Sequence, residues 1–270
     1  MEEKRNNIRI VMASHKACDI PSDDMYIPVF IGSALRDEVP EGFTPDNTGE
    51  NISILNPMYS ELTGLYWGWK NIPEVQEEGS FIGLVHYRRF FGTKKKGPVK
   101  RSDLDRYLGK KKLFLPKHRH YYISTMKEHY CSTQGSLTFD ECEKILSENY
   151  PQYEESFDRS MGQTHGCICN MMIMRKDLAD EYLPWLFDIL RELCLRVDSS
   201  GMSEFDRRFP GRISELLLNV WVDHQITTGR LKKSDIMYLP WYNTTGDNLM
   251  VKAKAFLRAK YKGEKYKSSF

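Results

Sequence analysis

Apolar positions along this chain come in short runs, and their spacing switches repeatedly between a period of two and a period near 3.6. Residues 8–13 read as a first strand, with Ser14, His15 and Lys16 at its carboxyl end. Residues 26–32 are a second apolar run, which Pro28 demotes to an edge strand or an extended loop. Pro, Gly, Asp and Asn crowd residues 36–51, which are read as loop. Asn56 then caps a predicted helix with Pro57 at its first position. Met58, Leu62, Leu65, Tyr66 and Trp69 share one face of it and Trp67 points the opposite way. Ser60, Gly64 and Gly68 line a third side, where another backbone could come close. Such a helix is buried, and the domain is built around it.

Residues 81–87 are almost continuously apolar, the pattern of a central parallel strand. A basic loop over 92–101 precedes a short helix capped by Ser102, and then a strand at 112–116. Thr138 and Glu141 form a predicted capping box for a helix over 139–148, and Pro151 starts another that ends near Met161. A strand over 167–174 carries Asn170 at its middle. Two long helices follow, over 177–197 and 213–228, and a last short strand at 236–240. Strands and helices alternate throughout, so the expected class is α/β with a largely parallel sheet flanked by helices. Residues 1–245 are expected to form one domain.

The remainder, 246–270, is a tail of different character. Within 249–270, Lys252, Lys254, Arg258, Lys260, Lys262, Lys265 and Lys267 face a single acid, Glu264, and Leu249, Ala253, Phe256 and Leu257 can form one apolar stripe. A basic amphipathic helix of this kind suits an anionic membrane surface, and a solvated terminus is the alternative. Over most of the chain the charges interleave, and the net over all 270 residues is +2, which argues against nucleic acid as a partner. The chain opens without a signal-peptide pattern, and no apolar run approaches the ~18 residues of a spanning helix. Six cysteines in such a chain read as reduced thiols, and the expected location is the cytoplasm, with peripheral membrane contact through the tail.

Chemistry concentrates between Asp46 and Phe91. His86, Arg88 and Arg89 crown the buried strand, where an α/β sheet binds ligands beyond its carboxyl ends. Period-two alternation puts His86 and Arg88 on one face, Tyr87 and Arg89 on the other. Guanidinium forks match phosphate oxygens bidentately, so a diphosphate is the natural guest. His15 and Lys16 close the first strand and can reach the same crevice. The loop carrying Asp46 and Asn51 offers carboxylate and amide groups suited to sugar hydroxyls, or it is a turn held by its own Asx hydrogen bonds. Glu61 either complements the helix dipole or pairs, buried, with an arginine. Arg212 and Glu215 open a late helix, where Glu215 could serve as general base. Asp103 and Asp105 resemble an acid-x-acid metal pair but sit in a helix first turn, and His165, Cys167 and Cys169 lack the usual zinc ligand loop. No metal ligand is assigned.

Taken together, these motifs resemble a bacterial family of capsule and exopolysaccharide clusters, long catalogued as a domain of unknown function and including proteins described as galactofuranosyltransferases. The matching pieces are His15-Lys16, the stretches at 46–53, 61–71 and 83–91, Asn170 with its apolar followers, 185–190 and 212–217. The resemblance implies a single Rossmann-like sheet of the GT-A-like nucleotide-sugar transferase kind. It implies hexosyl transfer from a UDP-sugar, the donor substrate, to a lipid-linked oligosaccharide. That class usually ends a strand in a metal-binding acid pair. Here the strand ends in His86-Tyr87-Arg88-Arg89, so Mn or Mg is not favoured and no cofactor is firmly implied. On this reading Arg88, Arg89 and Lys16 stabilise the leaving diphosphate and Glu215 takes the acceptor proton with inversion. His86, His15, Asp46, Asn51, Glu61, Asn170 and Arg212 complete the site. The competing expectations are a non-catalytic nucleotide- or anion-binding module that regulates polysaccharide assembly, and a phosphotransferase or nuclease using His86.

Overall fold

The computed structural model describes residues 7–245; the basic tail lies outside the described residues. These fall into two compact units. The first takes the described residues up to Lys117, with Asn170–Pro184 and Lys232–Thr244; the second takes His118–Cys169 and Trp185–Leu231, with Thr245.

The first unit holds the sheet. Its strands are β1 (Ile8–Ser14), β2 (Tyr26–Phe30), β3 (Thr44–Pro45), β4 (Phe81–His86), β5 (Arg89–Thr93), β6 (Gly97–Pro98) and β7 (Leu113–Pro116). The short pair β8 (Arg119–His120) and β9 (His165–Gly166) belongs to the second unit, and β10 (Met172–Arg175), β11 (Ile236–Leu239) and β12 (Trp241–Asn243) complete the first. The order across the sheet is β11-β7-β10-β4-β1-β2-β3. β4, β1, β2 and β3 run parallel, as do β11 and β7, while β10 runs antiparallel between β4 and β7. A mostly parallel α/β sheet is therefore confirmed.

β1 and β4 are apolar on both faces because both faces are covered: Ile10, Val11, Met12, Ile82, Leu84 and Val85 have no exposed surface. Pro28 is tolerated in β2 because β3 pairs only with Val29 and Phe30, leaving the outer edge beside Pro28 unpaired. The basic loop expected over 92–101 is instead largely hairpin, β5 with β6, and β5 also pairs with β12.

One helix was expected from Asn56 onward; the structure has two, α1 (Asn56–Tyr59) and α2 (Leu62–Asn71), broken at Ser60, whose φ is 52°. Asn56 lies inside the first turn rather than capping it. The buried side of α2 is Leu62, Thr63, Gly64, Leu65, Trp67 and Gly68, so Trp67 faces the core and Tyr66 and Trp69 lie half-buried outside it. The small-residue side does allow close approach. A Cβ on Gly68 would stand 2.5 Å from Val11 Cγ2, and one on Gly64 2.9 Å from Ile31 Cγ2. Gly68→Ala gains helix propensity of about 1 kcal/mol but must displace a fully buried β-branched side chain. The expected net result is a loss of about 1–2 kcal/mol in urea unfolding; a stabilised variant would show that α2 can move off the sheet.

Helix α3 (Arg101–Leu108) completes the first unit. Its cap is Lys100, not Ser102: Asp103 accepts from the Lys100 N–H at 2.9 Å, and Asp105 pairs with Arg101 at 3.5 Å. Both acids of the suspected metal pair are thus occupied locally.

The second unit is mainly helical: α4 (Met126–Gln134), α5 (Leu137–Asn149), α6 (Glu154–Met161) and α8 (Phe209–Thr227), with the last part of α7 (Lys176–Arg196). Phe139, Phe157, Leu217 and Trp221 form its core. The capping box expected at Thr138 and Glu141 sits one helix earlier. Thr125 accepts from Glu128 N at 3.1 Å and opens α4, which sequence periodicity missed. Thr138 instead shares a hydrogen bond with the Tyr130 hydroxyl at 2.9 Å. No helix among the described residues is long and apolar enough to cross a membrane.

Candidate active site

β1 and β4 pair in register from Ile8 opposite Phe81 to Ala13 opposite His86, so the two strands end level with one another. The Tyr87 N–H donates to the Ala13 carbonyl at 3.0 Å, and the Ile31 N–H to that of Ser14 at 2.9 Å. Beyond these bonds the chain leaves the sheet, with His15 and Lys16 exposed after β1. After β4 it turns at once. His86 pairs with Arg89 across a hairpin whose two-residue loop is Tyr87 and Arg88. The expected alternation through Arg89 therefore stops at His86.

This tight turn puts Tyr87 at the centre of a cationic cluster. The edge of His15 meets its ring at 5.1 Å between centroids, Lys16 Nζ lies 5.1 Å from the ring centroid, and Arg88 Cζ 5.8 Å. Neither Lys16 nor Arg88 forms a salt bridge among the described residues. Two cations thus border one ring with no acid among the described residues paired to either, and both are attracted to an entering anion. The loop backbone is fixed: the Arg88 carbonyl accepts from the Thr244 N–H at 2.8 Å, and Asn243 pairs with Arg89. Arg88 and Arg89 are half-buried rather than splayed into solvent.

Behind the turn stands a buried polar group of three. Glu61 Oε1 accepts from Asn170 Nδ2 at 2.8 Å and lies 4.0 Å from His86 Nε2. The His86 and Glu61 side chains are 12% and 13% exposed, so a positive charge formed on the imidazole would be little screened from the carboxylate. The partner of Glu61 is thus an imidazole and an amide, where an arginine was one expectation. Three of the four non-glycine residues with positive φ adjoin this group: Ser60 at 52°, Cys169 at 66° and Asn170 at 52°. Such conformations cost about 1–3 kcal/mol each and persist where the surroundings enforce them. Asn56 Nδ2 donates to the Ser60 carbonyl at 2.8 Å and holds the kink that presents Glu61. The continuous strand expected across Asn170 is broken there, and β10 begins only at Met172.

Asp46 serves this group from a distance. It has no exposed surface, and its carboxylate accepts from Gly32 N (2.9 Å), Ser33 N (2.9 Å), Thr63 Oγ1 (2.7 Å) and Ser53 Oγ. Four donors fill the about four lone-pair positions of a carboxylate. Asp46 consequently cannot orient a donor sugar, as expected of it, and instead ties the β2 exit to α2. Asn51 takes the bland alternative: its side chain donates to Gly49 O at 2.9 Å and accepts from Ser53 N at 3.2 Å, forming the turn.

Glu215 and Arg212 belong to the second unit, on α8. Arg212 lies 3.8 Å over the Phe205 ring and donates to the Phe205 carbonyl; burial holds its basicity below the ordinary arginine range. Half-buried Glu215 acts electrostatically on Tyr121 and Arg212 of the same unit. Cys167 and Cys169 are buried, and burial pushes the Cys167 thiol up to about 12, far from a thiolate ligand. Among the described residues, no group of three or more His, Cys, Asp or Glu side chains is placed to hold a metal ion.

A mostly parallel sheet with a polar, cation-bearing carboxyl edge defines a GT-A-like α/β fold, and a solved structure shares it. The apo structure of the WbbM bifunctional glycosyltransferase superimposes with a TM-score of 0.76 at 25% identity, over 89% of this chain. This chain spans 46% of that protein, a little under half its length. No curated protein matches. Residues 9–226 match the model of a domain of unknown function, DUF4422, and the chain belongs to that family.

Proposed function

We propose that this chain is a glycosyltransferase of bacterial polysaccharide synthesis, moving a hexosyl group from a UDP-sugar to a lipid-linked oligosaccharide. The observation that carries the reading is the pair Lys16 and Arg88 beside Tyr87, without a salt bridge among the described residues, at the ends of two adjacent parallel strands. The likeness to a bifunctional glycosyltransferase supports the reaction class. In the transfer, the bond from the anomeric carbon to the diphosphate oxygen breaks with its electron pair. Lys16 and Arg88 stabilise the charge that accumulates on the leaving group. The acceptor hydroxyl attacks the anomeric carbon and gives its proton to His86, with Glu61 stabilising the imidazolium and Asn170 fixing Glu61. This assigns the base to the same strand edge as the cations, where the sequence pattern had pointed to Glu215. A single displacement of this kind inverts the anomeric centre.

A thermal-shift panel of UDP-, GDP- and CMP-sugars tests the donor. Binding at about one hundred times Kd contributes roughly 2.7 kcal/mol, or about 5–10 °C for a chain of this size. The UDP compounds are expected to give that shift, and turnover with a lipid-linked acceptor is expected to persist in excess chelator. A shift without any sugar transfer by mass spectrometry would make the chain a binding module. Phosphoester cleavage without a sugar donor would move His86 into a different chemistry.

A further inference from the structure

The second unit carries a feature that the transfer step does not use. The pairing of β8 with β9 sets His120 opposite His165. Their rings stack at 5.6 Å between centroids and 26° between planes; His118 meets His165 at 4.9 Å, and Tyr122 meets His120 at 6.1 Å. Four rings thus form a connected series, half-buried at His118 and His165 and ending in Tyr122, which is 86% exposed. Tyr122 is also the fourth non-glycine residue with positive φ, at 58°, in a three-residue turn closed by the Ile123 N–H to the Tyr121 carbonyl at 2.7 Å. Turns of that kind are rare and strained. The flanks are pinned, Tyr121 N to Thr164 O and Met126 N to Gln163 O, both at 2.8 Å. A large ring carried into water on a disfavoured backbone conformation gives the fold little, and Ile123 beside it is 53% exposed. Strain held in this way points to a ligand.

We infer that Tyr122, His120, His165 and His118 form a platform that binds the glycan acceptor through its sugar rings. One face of a hexose is a patch of C–H groups that packs on aromatic rings, while its rim of hydroxyls both donates and accepts. A neutral imidazole supplies one donor and one acceptor for that rim. His118 is kept toward that neutral form, its basicity lowered by burial and by the neighbouring imidazoles His165 and His120. A nucleobase needs the ring alone, whereas a series of imidazoles beside a tyrosine matches the mixed surface of a saccharide.

The inference rests on the glycosyltransferase reading for its choice of ligand but not for its test. Saturation-transfer NMR on the full chain, with galacto-, gluco- and manno-configured trisaccharides, reads binding without turnover. Wild type is expected to transfer saturation to at least one of them. Tyr122→Phe keeps that affinity, and Tyr122→Ala weakens it about tenfold or more, the usual scale for losing a stacking ring. Tyr122→Gly is expected to lose binding with no fall in Tm, since glycine accepts positive φ. The UDP-induced thermal shift should be unchanged in all three variants. Wild-type affinity in Tyr122→Ala or Tyr122→Gly, or no saturation transfer to any trisaccharide, overturns the platform. So does a zinc-dependent stabilisation that His120→Ala abolishes, which would make the imidazoles a metal site. If UDP gives no shift while trisaccharide binding and its Tyr122 dependence remain, the platform stands and the proposed donor chemistry falls.

Discussion

Replacing Arg88 by glutamine is expected to lower kcat/KM by about 10²–10³-fold, the usual cost of removing one preorganised group from a developing negative charge. The side chain borders Tyr87 together with Lys16 and has no acid partner among the described residues to be orphaned by the change. The loop itself is held by its main chain, through the Thr244 N–H on the Arg88 carbonyl and the Arg89 pairing with Asn243. Folding stability should accordingly stay within about 0.5 kcal/mol of wild type, as for an ordinary surface substitution. Lys16→Gln should act in the same direction, and the double variant should fall short of the product of the two, because neighbouring charges on one guest are not independent. Steady-state kinetics beside urea unfolding separates the two quantities. Wild-type turnover in Arg88→Gln, with the fold intact, would remove the diphosphate from this strand edge.

The second large effect is on stability. Asp46→Ala leaves two backbone N–H groups and two hydroxyls without their acceptor in a region with no access to water. At about 1–3 kcal/mol per stranded buried donor, tempered by rotation of the two hydroxyls, the expected loss is about 3–5 kcal/mol. Asp46→Asn should cost nearly as much. Each carboxylate oxygen accepts from one N–H and one hydroxyl, so the amide nitrogen would face donors wherever it points. Urea titration of both variants measures this. A loss under about 1 kcal/mol would mean that water or repacking satisfies these donors after all.

Asp46 also shows where local pattern stops being informative. Its donors come from Gly32, Ser33, Ser53 and Thr63, and nothing in residues 46–53 distinguishes a buried hub from a loop carboxylate that greets a sugar. The buried strands β1 and β4 were legible because continuous apolar runs need two covered faces, and the His15-Lys16 and His86–Arg89 clusters followed from where those runs end. The hairpin after His86 was hidden, since Tyr87 and Arg88 carry none of the Gly or Asn signals of a two-residue turn. Ser60, Cys169 and Asn170 broke a predicted helix and a predicted strand for a related reason: positive φ at a non-glycine residue is imposed by distant contacts and leaves little trace in sequence. Arg89, expected on the face opposite His86, accordingly pairs with it across the hairpin. The histidine series needed two-residue strands whose partners lie 45 positions apart, as His120 and His165 do, and no local period announces such a pairing.

Gathering positive charge on an aromatic ring instead of on carboxylates has a consequence of its own. A carboxylate would have consumed the charge in advance, like a counterion already bound; the quadrupole of Tyr87 merely corrals it. The full attraction is then available to whichever polyanion arrives, and dissolved electrolyte can weaken it again when the spent nucleotide has to depart.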